Sequence, residues 1–148
     1  MAGARPGRWL ADEAVGWPIR RLDLSDKGLG QGGGRFERGV TSPQHCGLEG
    51  GEYFAFSRGP EMPGDQRIDD AFSVCFDTAP MHEDTDITGA PVLSLRLSSD
   101  RPWAQVAVRL NHVLPCGAST RISYGLLNLT HHGSHSDPQT LVPGEDIQ

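Results

Sequence analysis

Alternation of apolar and polar residues constrains this chain more than any other feature of its sequence. It occurs in residues 72–77, 93–97, 106–110 and at the start of 121–129, and turn-forming residues flank the runs. Successive side chains of a strand point to opposite faces, so each run predicts a strand with one buried face. No stretch of the sequence shows the spacing of an amphipathic helix. The sequence therefore predicts an all-β fold, an antiparallel sandwich or jelly roll.

Turn signals connect these strands, and the chain's 19 glycines and 11 prolines supply many of them. Residues 98–102 predict a turn and residues 114–117 a hairpin connection. Nearer the amino terminus, a short strand over 19–24 ends at a turn over 25–28, and a glycine-rich loop follows. We expect one domain over residues 1–148. Its parts are an N-terminal arm with the first strand in 1–35, a loop-rich insert in 36–62 with a short strand at 53–56, and the main sandwich in 63–148.

Charge and cysteine content exclude several classes of partner. The net charge of −6 at pH 7 argues against nucleic acid, which is bound through concentrated Lys and Arg. No apolar run approaches the roughly 20 residues that cross a bilayer, and no apolar leader segment is present. We therefore expect a cytoplasmic chain with no nucleic-acid and no membrane partner. Cys46, Cys75 and Cys116 form no CxxC pair, so we expect reduced thiols, with Cys75 on a strand.

The sequence offers no well-placed catalytic nucleophile. A serine hydrolase holds its serine in a tight elbow, usually GxSxG, with a histidine base and an acid nearby. GxSxG does not occur here. Ser119 is the nearest candidate, but it lies in the predicted hairpin and lacks the second glycine. We expect no catalytic residue in this chain.

Histidines cluster at His131, His132 and His135, and with His112 they could supply imidazole ligands to a transition metal. On an extended strand, however, His131 and His135 would lie about 13 Å apart. We therefore interpret the cluster as polar residues that cap the end of a strand. We expect no metal and no cofactor.

Acidic residues form two groups that do not follow the calcium-loop pattern. In the first group we expect a structural turn in which Arg67 neutralises its acidic neighbours. The first group is Asp65, Asp69 and Asp70, and the second is Glu83, Asp84 and Asp86.

Aromatic and aliphatic residues are assigned mainly to packing. The tryptophans Trp9, Trp17 and Trp103 could form a sugar-stacking platform, but core or interface packing is the favoured interpretation. The strand pattern predicts a buried core that contains Phe76, Leu95, Leu97, Val108 and Leu110.

Seven short stretches occur in an order and spacing that are specific together. They are PGDQRIDD at 63–70, FDTAPM at 76–81, DITGAP at 86–91, LRLSSD at 95–100, VRLNHV at 108–113, YGLLNL at 124–129 and LVPGE at 141–145. In these stretches the chain resembles the carboxy-terminal domain of X-Pro dipeptidyl-peptidases and cocaine-esterase-like hydrolases, the CocE/NonD family. Arg8-Trp9 and Trp17-Pro18, followed by residues 21–24, resemble the amino-terminal part of that domain.

The resemblance implies a jelly roll of the galactose-binding-like type. It also implies a longer parent protein in which an α/β-hydrolase domain with a Ser-Asp-His triad precedes this domain. The chain would then be a non-catalytic domain that packs on the catalytic domain and helps wall its active-site cleft. The parent would hydrolyse an ester, an amide or an X-Pro peptide.

Two other functions stay open at this point. One is a carbohydrate-binding module of a secreted or cell-associated enzyme, because such sandwiches also hold sugars. The other is a metal-dependent enzyme that uses the histidines. If the accessory role holds, one face of the sandwich should be apolar and should be covered by the catalytic domain in the parent. The isolated chain should then hide this face by forming a homo-oligomer.

Overall fold

The computed structural model describes residues 18–52 and 62–148. The described residues fall into two compact units, one formed by 18–38 with 75–90 and the other by 39–52, 62–74 and 91–148. Their regular structure is mostly sheet, in two separate two-stranded antiparallel sheets, as the all-β prediction requires. No helix in these two ranges is long and apolar enough to cross a membrane. Trp9, Trp17 and the predicted strand at 53–56 lie outside the described residues.

The first unit contains a short hairpin. Strand β1 (Asp23–Ser25) pairs with β2 (Gly28–Gly30), and the Ser25 hydroxyl donates to the Gly28 carbonyl across the turn at 3.0 Å. Gly28 has a φ of 121°, and a side chain there would meet the carbonyl oxygen of Asp77. The strand predicted over 19–24 thus lies at 23–25 in the structure. Residues 28–30, which were expected in the turn and the glycine-rich loop, form the second strand of the hairpin.

The second unit contains the longest strands among the described residues. Strand β3 (Gln105–Val113) pairs antiparallel with β4 (Ser119–Asn128). The turn between them is closed by the Leu114 N–H, which donates to the Ala118 carbonyl at 2.8 Å, and Gly117 provides the positive φ of 83°. This hairpin confirms the strands predicted at 106–110 and 121–129 and the connection between them.

The strand predicted over 72–77 is wrong over its whole length. A single helical turn, α1 (Arg67–Asp70), precedes it, and the Phe72 and Ser73 N–H groups donate to the carbonyls of Asp69 and Asp70 at 3.2 and 3.0 Å. These donors cannot also join a ladder, and residues 72–77 form turn and irregular backbone. Cys75, which was expected on that strand, is exposed.

The strand predicted over 93–97 is reduced to one bridge. Leu97 exchanges two backbone hydrogen bonds with Ile147, at 3.0 and 2.8 Å, and no further pair extends them within the described residues. Leu95 and Leu97 are half-buried while Ser94 and Arg96 are exposed, but Leu93 is exposed as well, so the predicted alternation of faces is present only over 94–97 and without the ladder.

The apolar core is smaller than the sequence predicts. The buried hydrophobic side chains among the described residues are Leu129 and Leu141. Leu129 begins a 3-10 helix (Leu129–His131) directly after β4, and a second 3-10 helix (Leu48–Gly50) lies earlier in the chain. The predicted core residues are all half-buried instead of buried, and they are Phe76, Leu95, Leu97, Val108 and Leu110.

Candidate functional site

The most buried side chains of the second unit are polar. Gln66 is 0% exposed, and Asp69 and Ser119 are each 2% exposed. The Gln66 N–H donates to the Ser119 carbonyl at 2.9 Å, and its side-chain amide donates to the Glu49 carbonyl at 2.6 Å. Gln66 directly precedes α1, and it therefore joins the start of α1 to β4 and to the 3-10 helix at 48–50. Buried polar groups are tolerated when they are hydrogen-bonded in this way.

Arg109 is the charged centre of this polar network. Its guanidinium donates to the Gln66 side-chain oxygen at 3.1 Å and to the Ser73 hydroxyl at 2.9 Å. It also lies 3.0 Å from a carboxylate oxygen of Asp70 and 3.7 Å from one of Asp69. Because the Arg109 side chain is only 17% exposed, these ion pairs are shielded from solvent. Arg109 thus holds α1 against the hairpin.

Asn111 extends the network along the same face of β3. Its amide donates to the Ser119 hydroxyl at 3.0 Å and to Asp70 at 3.3 Å. The Ser119 backbone N–H donates to the Asp65 carboxylate at 3.1 Å. Ser119, the nearest candidate nucleophile in the sequence, is therefore a buried structural residue whose hydroxyl oxygen accepts from an amide.

Arg67 was expected to neutralise the first acidic group. It pairs with one member of that group and not with the other two. Arg67 forms a two-contact ion pair with Asp65, at 2.7 and 2.8 Å. This hydrogen bond, together with the one from Ser119, lowers the pKa of the Asp65 carboxyl. Asp69 and Asp70 are paired with Arg109 instead, because they lie in the second half of α1 and face the hairpin.

A β-bulge determines which side chains share the face of the hairpin that carries Arg109. Leu110 lies opposite Ser123, but Asn111 lies opposite Arg121, so Ile122 has no partner in the ladder. The shift brings Arg121 to the face of Asn111 and Tyr124. Its guanidinium lies 4.4 Å from the centre of the Tyr124 ring and donates to the Gly50 carbonyl. Sequence alternation alone places Arg121 on the opposite face.

The other end of this face is apolar and exposed. Ala107 lies opposite Leu126, and Arg109 lies opposite Tyr124, so these side chains belong to one face. Leu126 is 71% exposed, Tyr124 is 45% exposed and Ala107 is also exposed. We call Ala107, Tyr124 and Leu126 the hairpin patch. The polar network covers one end of the face, and the hairpin patch is the uncovered end.

The histidines lie together more closely than the sequence predicts. The ring centres of His131 and His135 are 5.5 Å apart, in contrast to the 13 Å of the extended geometry. His131 ends the 3-10 helix that follows β4, so the cluster lies beyond the end of the strand and not on it. His112 is on β3, and Nδ1 of His132 lies 2.8 Å from the Leu129 carbonyl oxygen.

The remaining predicted candidates are at the surface. The acidic residues Glu83, Asp84 and Asp86 are exposed, and Trp103 is 69% exposed on the turn before β3. Over residues 18–52 and 62–148, no group of three His, Cys, Asp or Glu side chains is placed to hold a metal ion.

Sequence reasoning missed the roles of Gln66, Arg109 and Asn111. A signal for the last two was available, because Arg109 and Asn111 alternate with the apolar residues of β3 and so share its polar face. A cluster of acidic residues elsewhere in the chain is a natural partner of such an arginine. Gln66 has no comparable signal.

Comparison with known proteins identified a matching family. Residues 7–147 match the family described as the X-Pro dipeptidyl-peptidase C-terminal non-catalytic domain. No curated protein and no solved structure matched the chain. The match covers nearly the whole sequence, including both compact units.

Proposed function

Since this chain belongs to the family of X-Pro dipeptidyl-peptidase C-terminal non-catalytic domains, we propose that it is the accessory domain of a serine hydrolase. It packs on an α/β-hydrolase catalytic domain of the parent chain and helps wall the active-site cleft. The parent hydrolyses an ester, an amide or an X-Pro peptide. The chemistry resides in the catalytic domain, in agreement with the non-catalytic description of the family. We further propose that the complete domain is a galactose-binding-like jelly roll.

The observation that carries this proposal is the hairpin patch. Burying a leucine side chain contributes about 1.5–3 kcal/mol, and Leu126 is 71% exposed. An aromatic ring beside an arginine is the kind of pair that concentrates binding energy at interfaces, and Arg121 lies over Tyr124. The paired strands β3 and β4 present all three side chains of the patch on one face. These features suit a flat surface that another protein domain covers.

The position of the network supports the same role. The network fixes two elements against one end of the face. Arg109 and Asn111 hold α1, and Arg121 holds the 3-10 helix at 48–50. The backbone that carries the hairpin patch is thereby anchored at one end of the face, and a backbone anchored before docking loses less entropy when a partner binds. The network serves as the support of the docking surface.

The test is to determine whether a catalytic domain precedes this sequence in the parent gene and whether this domain alters it. An upstream α/β-hydrolase segment with a nucleophile elbow is expected. That segment should hydrolyse X-Pro-nitroanilide or p-nitrophenyl esters with a different KM when this domain is fused behind it. An upstream segment of unrelated fold, or identical kinetics with and without this domain, would contradict the proposal.

A further inference from the structure

A groove of about 660 Å³ lies beside α1 in the second unit. Its apolar walls are Ile68, Ala71 and Phe72, and its charged residues are Glu49, Asp65 and Arg67. Ile68 is 63% exposed and Phe72 is 38% exposed, so the apolar walls are open to solvent. The charges of Asp65 and Arg67 cancel in their ion pair, which leaves Glu49 as the net charge of the groove.

The Glu49 carboxylate is positioned by the backbone around it and not by a cation. The Glu49 carbonyl accepts from the Gly64 N–H at 3.0 Å and from the Gln66 side-chain amide at 2.6 Å. A Cβ atom at Gly64 would collide with Glu49 Oε2, so the carboxylate lies directly against that glycine. Glu49 is half-buried, and no hydrogen bond or ion pair reaches its carboxylate from residues 18–52 or 62–148. The carboxylate can therefore pair with a cation from outside these ranges.

Two contacts connect the groove with the hairpin patch. Gly50, which follows Glu49, accepts a hydrogen bond from Arg121. The Arg121 guanidinium lies 4.4 Å from the centre of the Tyr124 ring, which belongs to the patch. Interfaces between domains of one chain bury about 600–1,500 Å², so a docking surface extends beyond the three side chains of the patch. A partner that extends over the groove removes water from Glu49, and a buried carboxylate without a cation is costly.

We propose that this groove binds a basic side chain, Arg or Lys, of the catalytic domain. The charged head of that side chain pairs with the Glu49 carboxylate, and its methylene stem packs against Ile68 and Phe72. The Phe72 ring also attracts a cation. This inference rests on the accessory role proposed above, and it adds the chemistry of the partner surface, which carries a positive charge opposite Glu49.

Isothermal calorimetry tests the groove, with the separately expressed catalytic segment of the parent as the titrant. Glu49→Gln keeps the shape of the side chain and removes its charge, so it should weaken binding about 10-fold or more. Glu49→Lys places two like charges together and should weaken binding further. Glu52→Gln is the matched control, because it removes the same charge from an exposed side chain outside the groove. It should leave the Kd unchanged.

The outcomes separate this inference from the accessory role. Binding that Leu126→Asp weakens but Glu49→Gln does not would overturn the groove proposal alone, whereas an absence of association would contradict both. Circular dichroism of each variant separates loss of the contact from loss of the fold. If a Glu49 variant fails to fold, Ile68→Ser replaces it, because Ile68 is an exposed wall residue. That variant should raise the Kd about 3- to 10-fold, and an unchanged Kd would likewise overturn the proposal.

Discussion

Arg109 on β3 and Asp70 at the end of α1 are joined by a 3.0 Å ion pair. The two residues are 39 positions apart in sequence, and the arginine side chain is 17% exposed. This contact, with its neighbours Gln66 and Asp69, attaches the helical turn to the hairpin. Few hydrophobic side chains are buried in the described residues, and the most buried side chains belong to this polar network.

Removal of the Arg109 charge should therefore destabilise the protein strongly. Arg109→Ala leaves Asp69 buried without its cation, which costs about 3–5 kcal/mol for a buried pair. Arg101→Ala is the matched control, because Arg101 is 76% exposed and pairs with an exposed Asp100 at 3.7 Å. It should cost less than about 1 kcal/mol. Urea denaturation measures both free energies of unfolding, and equal losses would show that the network is not a structural centre.

The Asp65–Arg67 pair predicts a dependence of stability on acid. The pKa of Asp65 is lowered in the folded state by the hydrogen bonds from Arg67 and Ser119. A lowered folded pKa stabilises the protein above the unfolded pKa of about 3.9, and this stabilisation is lost as the pH falls through the folded pKa. The difference in unfolding free energy between the wild type and Asp65→Asn should thus be present at pH 7 and shrink below about pH 4. A difference that grows on acidification would contradict the assignment.

Gly28 should be intolerant of substitution. Its φ of 121° is unfavourable for other residues, and a Cβ atom there would collide with the Asp77 carbonyl. Gly28→Ala should destabilise the protein by more than about 1 kcal/mol. Gly30→Ala, in the same strand, meets nothing within 4 Å and serves as the control. Comparable unfolding curves for the two variants would show that the β1–β2 hairpin is not held as described.

Hydrolytic activity should be absent from the isolated chain. The Ser119 side chain is 2% exposed, and its hydroxyl accepts from Asn111, so no base or substrate reaches it. p-Nitrophenyl esters and X-Pro-nitroanilides should be stable in its presence. A rate above buffer that disappears in Ser119→Ala would place catalysis in this domain after all.

The β3–β4 hairpin could be predicted because both of its determinants are local. Alternation in each strand and the turn residues at 114–117 specify a hairpin without help from the rest of the chain. Little else of the fold has this property. The alternation at 72–77 is equally regular, but the backbone N–H groups at Phe72 and Ser73 are already bound to the preceding helical turn. Side-chain pattern carries no information about that competition.

The site depends on relationships that are not local. Gln66 and Arg109 are 43 residues apart, so their contact follows from the tertiary fold and not from spacing. The bulge between Leu110 and Asn111 moves Arg121 to the other face, where its guanidinium lies 4.4 Å from the centre of the Tyr124 ring. His131 and His135 approach each other because a 3-10 helix and a loop, and not a continued strand, follow Asn128. Each of these features becomes visible only when the backbone path is known.

Docking of the hairpin patch on the catalytic domain is the central claim, and binding between the two domains tests it most directly. The catalytic segment of the parent, expressed separately, is titrated with this chain by isothermal calorimetry. We expect association that Leu126→Asp weakens about 10- to 100-fold, the equivalent of the burial of one leucine. Val92→Asp, a change at an 89% exposed residue outside the hairpin, should leave the Kd unchanged. No association, or association that Leu126→Asp does not weaken, would contradict the account.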